Sequence, residues 1–542
     1  MTMRLTQCLL VCVSVCGSTV LRAQTCTSRT TRTQPTDVAG TIIRQIVIKS
    51  EGTGPMPVVG MWLHMLRPTT SATVVRRQLR YKADDSADAE LMGEALRRLR
   101  RQRLYADVSM TIDQCVGNDS INVTINTRDA WTLTPVLRIV PPATVSGGID
   151  DRNLFGTGRA LSITDDRNIR GHGGSLGLSD PWLFGTDIVA SLRVSGIAGN
   201  QLQRISIRHR ELSPADPWRT EVLINRQIFS RLGDSVPTRR TLFGSVQSGR
   251  IVGSVTHAIT VPYVGVELDS TDFSLLGRTD TAATTRARAF AGVEMGVSRR
   301  AAMFDTASWI VPNRGLLDLP IGLEGDLLVA PGHDRVQRAD AARYDVWIGR
   351  MWMPTRGRLI TADAWTSGFL GNVREDHISR ASVSAYGEAW HGFWGGRVLM
   401  EQLLQVDRDR RLLSLTNINT DPTFSAVPRS FRFANRTISS SLERSFHLRP
   451  LGRGSVLDAA LFTAGSVRWD SPVPTTPRHL AIAVVGARFR VLAANGIVSS
   501  TNLDVSYPVA SNARIPRRLL LTISAAPLFD VARLRDGRRR HP

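Results

Sequence analysis

One short motif in this sequence has the spacing of a catalytic nucleophile. Residues 173–177 read GGSLG, which fits the Gly-Xaa-Ser-Xaa-Gly pattern of serine hydrolases, and His172 stands directly before it. A nucleophile elbow requires a strand, a sharp turn and then a helix. Here Asp180 and Pro181 predict a turn, and the residues after it alternate as a further strand would. The motif therefore indicates a glycine-rich hairpin, and we predict that the protein is not an enzyme.

Metal and cofactor chemistry have no better support. The ten histidines are scattered, and no His-Glu-Xaa-Xaa-His or Cys-Xaa-Xaa-Cys pattern occurs. We predict no metal site and no cofactor. The cysteines that follow the N-terminal apolar run are Cys26 and Cys115, which could form a disulfide or remain free thiols.

The first 23 residues have the pattern of a secretory signal peptide. Arg4 precedes an apolar run from Leu5 to Leu21, and a small residue, Ala23, follows. A membrane anchor is the alternative, but the run is shorter than the ~20 residues that a spanning helix needs. No later stretch approaches 18 consecutive apolar residues. The sequence thus predicts an exported chain that is either soluble or a β-barrel.

The net charge of +21 raises the question of a nucleic-acid partner. The basic residues are almost all arginine, with lysine only at positions 49 and 82, and they are spread along the whole chain. No basic arm or recognition-helix pattern accompanies them. We predict no nucleic-acid binding, and interpret the arginines as strand and rim residues that can contact lipid phosphates.

A small mixed domain is predicted over residues 41–130, after a flexible leader at 24–40 that is rich in Thr, Arg and Ser. Its order is strand, helix, helix, strand, strand. The clearest helix begins near Ser86, and Leu91, Ala95 and Leu99 recur in it at four-residue spacing. Four arginines crowd its end, as the helix dipole favours.

Period-two alternation replaces helical periodicity after a linker predicted at 131–150. Segments of 9 to 12 alternating residues match the ~9 to 11 that a tilted strand needs to cross a bilayer. A soluble sandwich is the alternative, but its strands average ~5 to 6 residues. We therefore predict an all-β transmembrane barrel over residues 151–542, with about 16 antiparallel strands.

The tetrapeptide LFGT occurs twice, at residues 154–157 and 183–186. Two spanning strands and their turns return an antiparallel chain to the same side of a membrane, and a distance of 29 residues suits that return. We predict rim turns at Gly156, Gly158, Asp180, Pro181 and Gly185, where glycine can adopt angles that other residues resist.

These segments resemble the outer-membrane assembly and translocation family typified by BamA and TamA, in which periplasmic POTRA domains precede a sixteen-stranded barrel. The strand-helix-helix-strand-strand order resembles one POTRA domain. NLFGTGRALSI resembles the opening of the family's barrel, LSDPWLFGTDIVASL its aspartate-proline element, and GARFRVLAANGIVSSTNLDVSYPV its C-terminal strands. The resemblance implies a location in the outer membrane with a periplasmic N-terminal domain.

The same resemblance implies a function and partners. The chain would assist the insertion of nascent outer-membrane proteins, or move secreted polypeptide or lipid across that membrane, in contact with outer-membrane lipids and with accessory periplasmic proteins. A diverged passive pore or ligand channel on the same fold is the alternative. An exposed sheet edge is a template for pairing, so a weak seam between the first and last strands could offer one to a client. We predict this seam between residues 159–166 and 517–529, with Ala160 near Ser524.

The resemblance also implies a loop that folds back into the barrel and carries an arginine-glycine-aromatic motif. Here it reads Arg429-Ser430-Phe431, with serine in place of glycine. The family's wall motif, phenylalanine-aspartate-alanine-glycine, reads Phe462-Thr463-Ala464-Gly465, so the expected acid is a threonine. We predict that another lumenal acid compensates. The candidates are Glu443, Asp458 and Asp504.

Overall fold

The computed structural model shows a small N-terminal domain followed by a large barrel. It describes residues 26–32, 35, 38, 40–52, 69–102, 104–115, 119–130, 132–140, 144–168, 171–197, 200–209, 218–229, 238–254, 258–275, 283–301, 304–307, 317–371, 377–404, 436–450, 455–469, 479–493, 499–511 and 519–527. The predicted signal peptide lies outside these ranges. Within them, no helix is both long enough and apolar enough to cross a membrane.

The N-terminal domain packs two helices on a four-stranded sheet. Its elements are β1 (Cys26–Thr31), β2 (Ile42–Glu51), α1 (Ala72–Arg76), α2 (Ala89–Arg101), β3 (Tyr105–Cys115) and β4 (Ser120–Asp129). The sheet order is β1-β3-β4-β2, in which β2 runs parallel to β4 and the other pairs are antiparallel. Apart from β1, this is the element order that the sequence predicted.

Local sequence sets where the helices begin. The Asp88 carboxylate accepts hydrogen bonds from the Glu90 and Leu91 backbone N–H groups at 2.8 and 3.2 Å, which caps α2. The face of α2 that carries Met92, Leu96 and Leu99 is fully buried. It packs in one apolar core with the inward residues of the sheet. Burial also raises the pKa of the Tyr81 phenol in this core, so the ring remains neutral.

The leader is not wholly flexible, contrary to the sequence-based expectation. Its residues 26–31 form strand β1, which adds to the outer edge of β3 and pairs Cys26 with Cys115 and Thr31 with Met110. Composition suggested disorder because the segment has no apolar period. An edge strand needs none, since backbone hydrogen bonds to a neighbouring strand can order a polar segment.

The rest of the described chain forms one closed antiparallel barrel. The fold class predicted from alternation, an all-β barrel preceded by a small α+β domain, is confirmed. The wall consists of β5 (Leu133–Val140), β6 (Thr144–Leu154), β7 (Arg159–Asn168), β8 (Gly171–Asp180), β9 (Ile188–Ile197), β10 (Asn200–His209), β11 (Trp218–Phe229), β12 (Thr238–Arg250), β13 (Val252–Ser254), β14 (Ala258–Leu275), β15 (Ala283–Ala301), β18 (Gly322–Asp334), β19 (Ala339–Trp352), β20 (Arg358–Gly371), β21 (His377–Ala389), β22 (Gly392–Leu404), β23 (Arg436–Pro450), β24 (Ser455–Trp469), β25 (His479–Ala493), β26 (Ser499–Ser511) and β27 (Leu520–Pro527). A separate hairpin, β16 (Phe304–Ala307) with β17 (Leu317–Pro320), lies between β15 and β18.

The barrel has more strands than the expected number of about sixteen. Twenty-one segments take part, although β12 and β13 both pair with β14 and are two parts of one crossing. Residues 133–140 and 144–154, which include most of the predicted linker, form its first two strands, so the barrel does not begin at residue 151. Linker character was assigned from Pro141-Pro142, which lie outside the described residues, between β5 and β6 in the sequence.

The two faces of the wall are opposite in chemistry to those of a soluble sheet. On β14, Val264, Val266 and Leu268 point outward, and Leu268 is 64% exposed. Glu267, between Val266 and Leu268, points inward and is only 1% exposed. The alternation that the sequence shows is therefore apolar outside and polar inside.

Candidate functional site

The two LFGT segments adopt the same turn at the same end of the barrel. Phe155 and Phe184 each have φ of 53°, and the glycines that follow, Gly156 and Gly185, have φ of 70° and 79°. In each turn the threonine hydroxyl donates to the leucine carbonyl, at 2.7 Å in the first and 2.6 Å in the second. We call this end of the barrel the near rim. The repeated phrase is thus a repeated turn, one full hairpin apart.

These turns form a seat for the N-terminal domain. The Ser71 backbone N–H, just before α1, donates to the Gly156 carbonyl at 3.0 Å, and the Asn153 amide donates to the Thr70 hydroxyl at 2.8 Å. Trp182, from the second turn, is buried in the core of the N-terminal domain. The predicted rim residues Gly158, Asp180 and Pro181 lie at the same seat. Asp180 accepts a hydrogen bond from the Trp182 backbone N–H at 2.8 Å.

A second contact joins the domain to another part of the rim. The guanidinium of Arg100, near the end of α2, donates two hydrogen bonds of 2.8 Å to the carboxylate of Asp318 in the β16–β17 hairpin. This pair is almost fully buried. Arg101 stacks over the Phe304 ring at 4.1 Å. Sequence reasoning treated the arginines of α2 as dipole partners, although four in one turn signalled a docking surface.

The three acids proposed as lumenal partners meet in one cluster on the inner wall. Arg488 Nε and Nη2 donate to the Asp504 carboxylate at 2.7 and 3.0 Å, and Arg488 Nη1 donates to Glu443 at 2.7 Å. Arg490 donates to both Glu443 and Asp458, at 2.5 and 2.6 Å. The sequence analysis proposed these acids as partners of Arg429, which stays a prediction, and did not foresee Arg488 and Arg490 on β25. We call these five residues the closure-side cluster, because they lie on β23–β26.

Aromatic rings support this cluster. Arg488 lies over the Phe462 ring at 5.1 Å, and Arg490 lies over the Phe393 ring at the same distance. Phe462 packs across Gly486, where an added Cβ would lie 2.3 Å from the ring. His447 Nδ1 is 2.9 Å from an Asp458 oxygen. The cluster therefore combines three carboxylates with two guanidinium groups, and the His447 imidazole faces one of those carboxylates.

The degenerate wall motif does not stand where the resemblance placed it. Phe462 faces inward, but Thr463 and Gly465 share the outer face of β24 with the exposed Leu461. An acid at position 463 could not reach a lumenal arginine, because adjacent residues of a strand point to opposite faces. The expectation that Thr463 replaces a lumenal acid is therefore wrong. The loop motif Arg429-Ser430-Phe431 lies outside the described residues.

A second ionic cluster lines the inner wall on β14, β15 and β19. Arg343 Nε donates to both Glu267 oxygens, at 2.8 and 2.9 Å, and its Nη2 lies 3.4 Å from Glu294. On the same strands, Arg288 donates to Asp269 at 2.8 Å. These arginines line the lumen, whereas the sequence interpretation expected the arginines to contact lipid phosphates. Alternation alone predicted an inward polar face, but not which charges meet across three strands.

The barrel closes between β5 and β27, and this ladder is short. Among the described residues, one pair, Ile523 with Ile139, joins the two strands, whereas eight pairs join β27 to β26 and eight join β5 to β6. The seam predicted between residues 159–166 and 517–529 is therefore misplaced on its first side. Ala160 pairs with Ser179, and Ser524 pairs with Asn502, so these two residues do not meet.

The remaining candidate residues give clear outcomes. The backbone register of β1 and β3 places Cys26 directly opposite Cys115, and the disulfide between them stays a prediction. Ser175 lies within the single strand β8, so the GGSLG segment has no strand-turn-helix geometry. Among the described residues, no group of three metal-ligating side chains could hold an ion.

Solved structures of BamA and CdiB resemble this chain in part. BamA from Haemophilus ducreyi lacking POTRA domains 1–3 has 10% identity and a TM-score of 0.36, covering 89% of this chain and 84% of its own. CdiB from Escherichia coli has 10% identity and a TM-score of 0.45, over 92% and 80%. CdiB from Acinetobacter baumannii has 13% identity and a TM-score of 0.36, over 90% and 73%.

No protein-family model and no curated protein sequence matches this chain. The fold and the inner wall define an antiparallel barrel with a polar, ion-paired lumen and a docked N-terminal domain. At the identities and TM-scores above, structural likeness does not identify a family. The function proposed below therefore depends on residues of this chain.

Proposed function

We propose that this chain is an outer-membrane barrel that assists the insertion of outer-membrane proteins, or moves polypeptide across that membrane, through a lateral seam between β5 and β27. The observation that carries this proposal is that, within the part of the chain that the structure describes, one residue pair closes a long barrel. The N-terminal domain, which we interpret as POTRA-like, would then lie in the periplasm. The partners would be nascent or secreted polypeptide, outer-membrane lipids and accessory periplasmic proteins.

The chemistry of the outer face supports a position in the membrane. Large apolar side chains such as Val266, Val293 and Leu461 are more than half exposed at mid-strand positions. In water each would forgo roughly 1.5–3 kcal/mol of burial free energy, whereas lipid provides an apolar environment at no such cost. An outward apolar band around a polar lumen is the pattern of a transmembrane barrel.

Aromatic residues at the near rim support the orientation. Phe155 and Phe184 project from the two LFGT turns and are 75% and 93% exposed. Trp218 and Trp390, at the same end of their strands, are also exposed. Aromatic girdles mark the membrane interfaces of outer-membrane barrels. With the N-terminal domain attached at this rim, we assign it to the periplasmic side.

The two strands of the seam are short as well as sparsely paired. Strands β5 and β27 have 8 residues each, whereas β24 and β25 have 15 each. Eight residues fall short of the ~9 to 11 that span the hydrocarbon core. Opening this seam breaks few hydrogen bonds and exposes two strand edges, and such edges pair readily with another extended chain.

A disulfide across the seam provides the test. Ile139→Cys with Ile523→Cys, in a Cys26→Ser/Cys115→Ser background, places two thiols on directly paired residues, within disulfide range. We expect oxidation to lower the rate at which the reconstituted protein folds a separate barrel client into liposomes to the protein-free rate. Reduction should restore it.

The matched control is Ile149→Cys with Ile163→Cys, a directly paired isoleucine pair in the β6–β7 ladder. Its oxidation should leave client folding unchanged. Full activity with the seam cross-linked would reject the lateral route. Stable conductance in planar bilayers, together with no acceleration of client folding, would support the passive pore instead.

A further inference from the structure

A row of polar side chains crosses the outer wall of the barrel at the end opposite the near rim, which we call the far rim. Direct pairing joins its four members, which are Gln402 (β22), Arg436 (β23), Trp469 (β24) and His479 (β25). Directly paired residues share a face of the sheet, and Arg436 and His479 are exposed. We propose that this row binds the headgroup of a diphosphorylated glycolipid, with one phosphate on each side of the Trp469 ring.

The row lies where the apolar band of the outer wall ends. Met400, Ile438 and Val467 stand two residues closer to the middle of their strands, on the same face, and all three are exposed. In a membrane these side chains would contact lipid chains, and the row ~6–7 Å beyond them would lie among the headgroups. The inference rests on the proposed function here, because a periplasmic near rim turns the far rim toward the outer leaflet. Phosphorylated glycolipid is the main lipid of that leaflet.

Other cations on the outer face of the far rim already face a carboxylate. The Arg167 guanidinium and the His172 imidazole lie 3.4 and 2.8 Å from the Asp165 carboxylate. His333 lies 2.8 Å from Asp340 in the same way. These cations have a counter-charge on their own wall and offer less to an external phosphate.

The four strands of the row differ in this respect. Within the described residues of β22–β25, the carboxylates are Glu401, Glu443 and Asp458, and all three alternate with outer residues and face the lumen. The outward face of these strands therefore carries positive charge at the row and no carboxylate. Arginine forms bidentate hydrogen bonds with phosphate, so a lipid phosphate would supply the counter-charge.

The spacing along the row indicates the class of lipid. Neighbouring strands stand ~4.8 Å apart, which puts the backbones of Arg436 and His479 roughly 10 Å apart, on either side of Trp469. An imidazole can donate a hydrogen bond to a phosphate oxygen in either protonation state. The indole offers an apolar ring face and an N–H donor, which suit the C–H face and the hydroxyls of a sugar. A sugar headgroup with a phosphate at each end matches this order, whereas a lipid with one phosphate engages one end only.

Two double variants of the full chain in detergent test the proposal. Arg436→Gln with His479→Gln removes both cations of the row. The matched control is Arg167→Gln with His172→Gln, which removes the same two residue types at the same rim, where a carboxylate already faces them. All four positions are exposed, and retained heat resistance on gels shows that each barrel is folded. The probes are diphosphoryl lipid A, monophosphoryl lipid A and phosphatidylglycerol, with bound lipid measured by native mass spectrometry.

Wild type and the control variant should bind diphosphoryl lipid A about tenfold more tightly than monophosphoryl lipid A, and the row variant should lose this preference. Equal binding of diphosphoryl lipid A by the row variant and wild type would overturn the site. Phosphatidylglycerol that binds as tightly as diphosphoryl lipid A would also overturn it, since this indicates a general basic girdle. Displacement of the lipid by inorganic phosphate would have the same consequence, because the ligand would then be phosphate alone.

A single variant tests the ring contact separately. Trp469→Leu keeps both cations and should weaken the binding of both forms of lipid A about threefold, while phosphatidylglycerol binding stays unchanged. Unchanged lipid A binding would overturn the glycolipid assignment. These measurements need no client, so lipid A selectivity without client folding would reject the assembly activity and leave this site standing. Client folding without lipid A selectivity would do the reverse.

Discussion

The N-terminal domain and the barrel bury opposite kinds of residue. Met92 and Leu96 of the domain are fully buried and apolar, whereas Glu294 and Asp458 of the barrel wall are fully buried and ionisable. Conversely, the exposed surface of the barrel carries Val264 and Leu268, which a soluble domain would place inside. The two regions are joined within one chain and are packed by the same forces.

The difference is what the proposed membrane location of the barrel would produce, because each region would then match a different solvent. An apolar core forms where water surrounds the fold, because burial removes apolar surface from water. Where lipid surrounds the fold, apolar side chains gain nothing by moving inward, and the polar side chains collect around the lumen and satisfy one another. The contrast can be tested by matched substitutions at two positions within each region.

The largest effect should come from a charge in the domain core. Leu96→Asp buries an unpaired carboxylate and should destabilise the N-terminal domain by more than about 4 kcal/mol. Limited trypsin digestion should then remove the domain while the barrel keeps its heat resistance on gels. Leu91→Asp, on the partly exposed side of the same helix, is the control and should leave the domain resistant. Equal sensitivity of the two variants would contradict the assignment of the core face.

A charge on the outer face of the barrel should cost less, and the cost should depend on depth. Val266→Arg lies near the middle of β14 and should cost about 2–4 kcal/mol in a bilayer. Val252 is also exposed on the outer face but lies close to the near rim. Val252→Arg should therefore lower the free energy of unfolding by only about 0–1 kcal/mol. Urea unfolding from lipid vesicles, followed by tryptophan fluorescence, gives both values. Equal costs at the two depths would argue against a membrane-spanning wall.

Loss of an ionic contact on the inner wall should have a smaller effect. Glu443→Gln weakens bonds to both Arg488 and Arg490, and hydrogen bonds to charged groups contribute about 1.5–3 kcal/mol each. Asp165→Asn, in a solvent-exposed pair with Arg167, should change stability by less than about 0.5 kcal/mol. The same unfolding measurement applies to both. An effect of Glu443→Gln no larger than that of Asp165→Asn would mean that the lumen solvates these charges fully.

The turns of the near rim should respond to the loss of a glycine. Gly156→Ala forces a side chain into the left-handed region and should cost about 1 kcal/mol, observed as a lower melting temperature. Gly147→Ala, on the adjacent strand with open space around the added methyl group, should be nearly neutral. Equal melting temperatures of the two variants would mean that the left-handed backbone at Gly156 does not contribute to stability.

The smallest effects concern the loop motif and its supposed wall partner. Arg429→Ala should lower the free energy of barrel unfolding by about 1 kcal/mol if the closure-side cluster holds this arginine. Thr463→Ala should change stability by less than about 0.5 kcal/mol, because Thr463 lies on the outer face. A Glu443→Gln/Arg429→Ala double variant shows the coupling directly, since non-additive effects require contact. Additive effects would place Arg429 elsewhere.

Local patterns predicted much of this molecule. The period-two alternation around Ala289 and Val293 identified a β wall with one apolar and one polar face, because side-chain direction along a strand follows from the backbone alone. The four-residue spacing of Leu91, Ala95 and Leu99 located the main helix for the same reason, although the helix begins at Ala89 and not near Ser86. The two LFGT segments predicted two rim turns, since glycine angles and a threonine hydroxyl suffice to define such a turn.

The tertiary structure decided what depends on partners far away in sequence. Leader residue Thr31 pairs with Met110, Arg100 reaches Asp318, and Glu443 meets Arg490, and none of these separations has a local signature. The closure is the clearest case. Residue 139 was interpreted as linker because nothing near it in sequence reveals its partner, and only the curvature of the whole wall brings it to Ile523. The sequence by itself determined which side chains of a strand share a face. The closed barrel determined which residues of different strands come into contact.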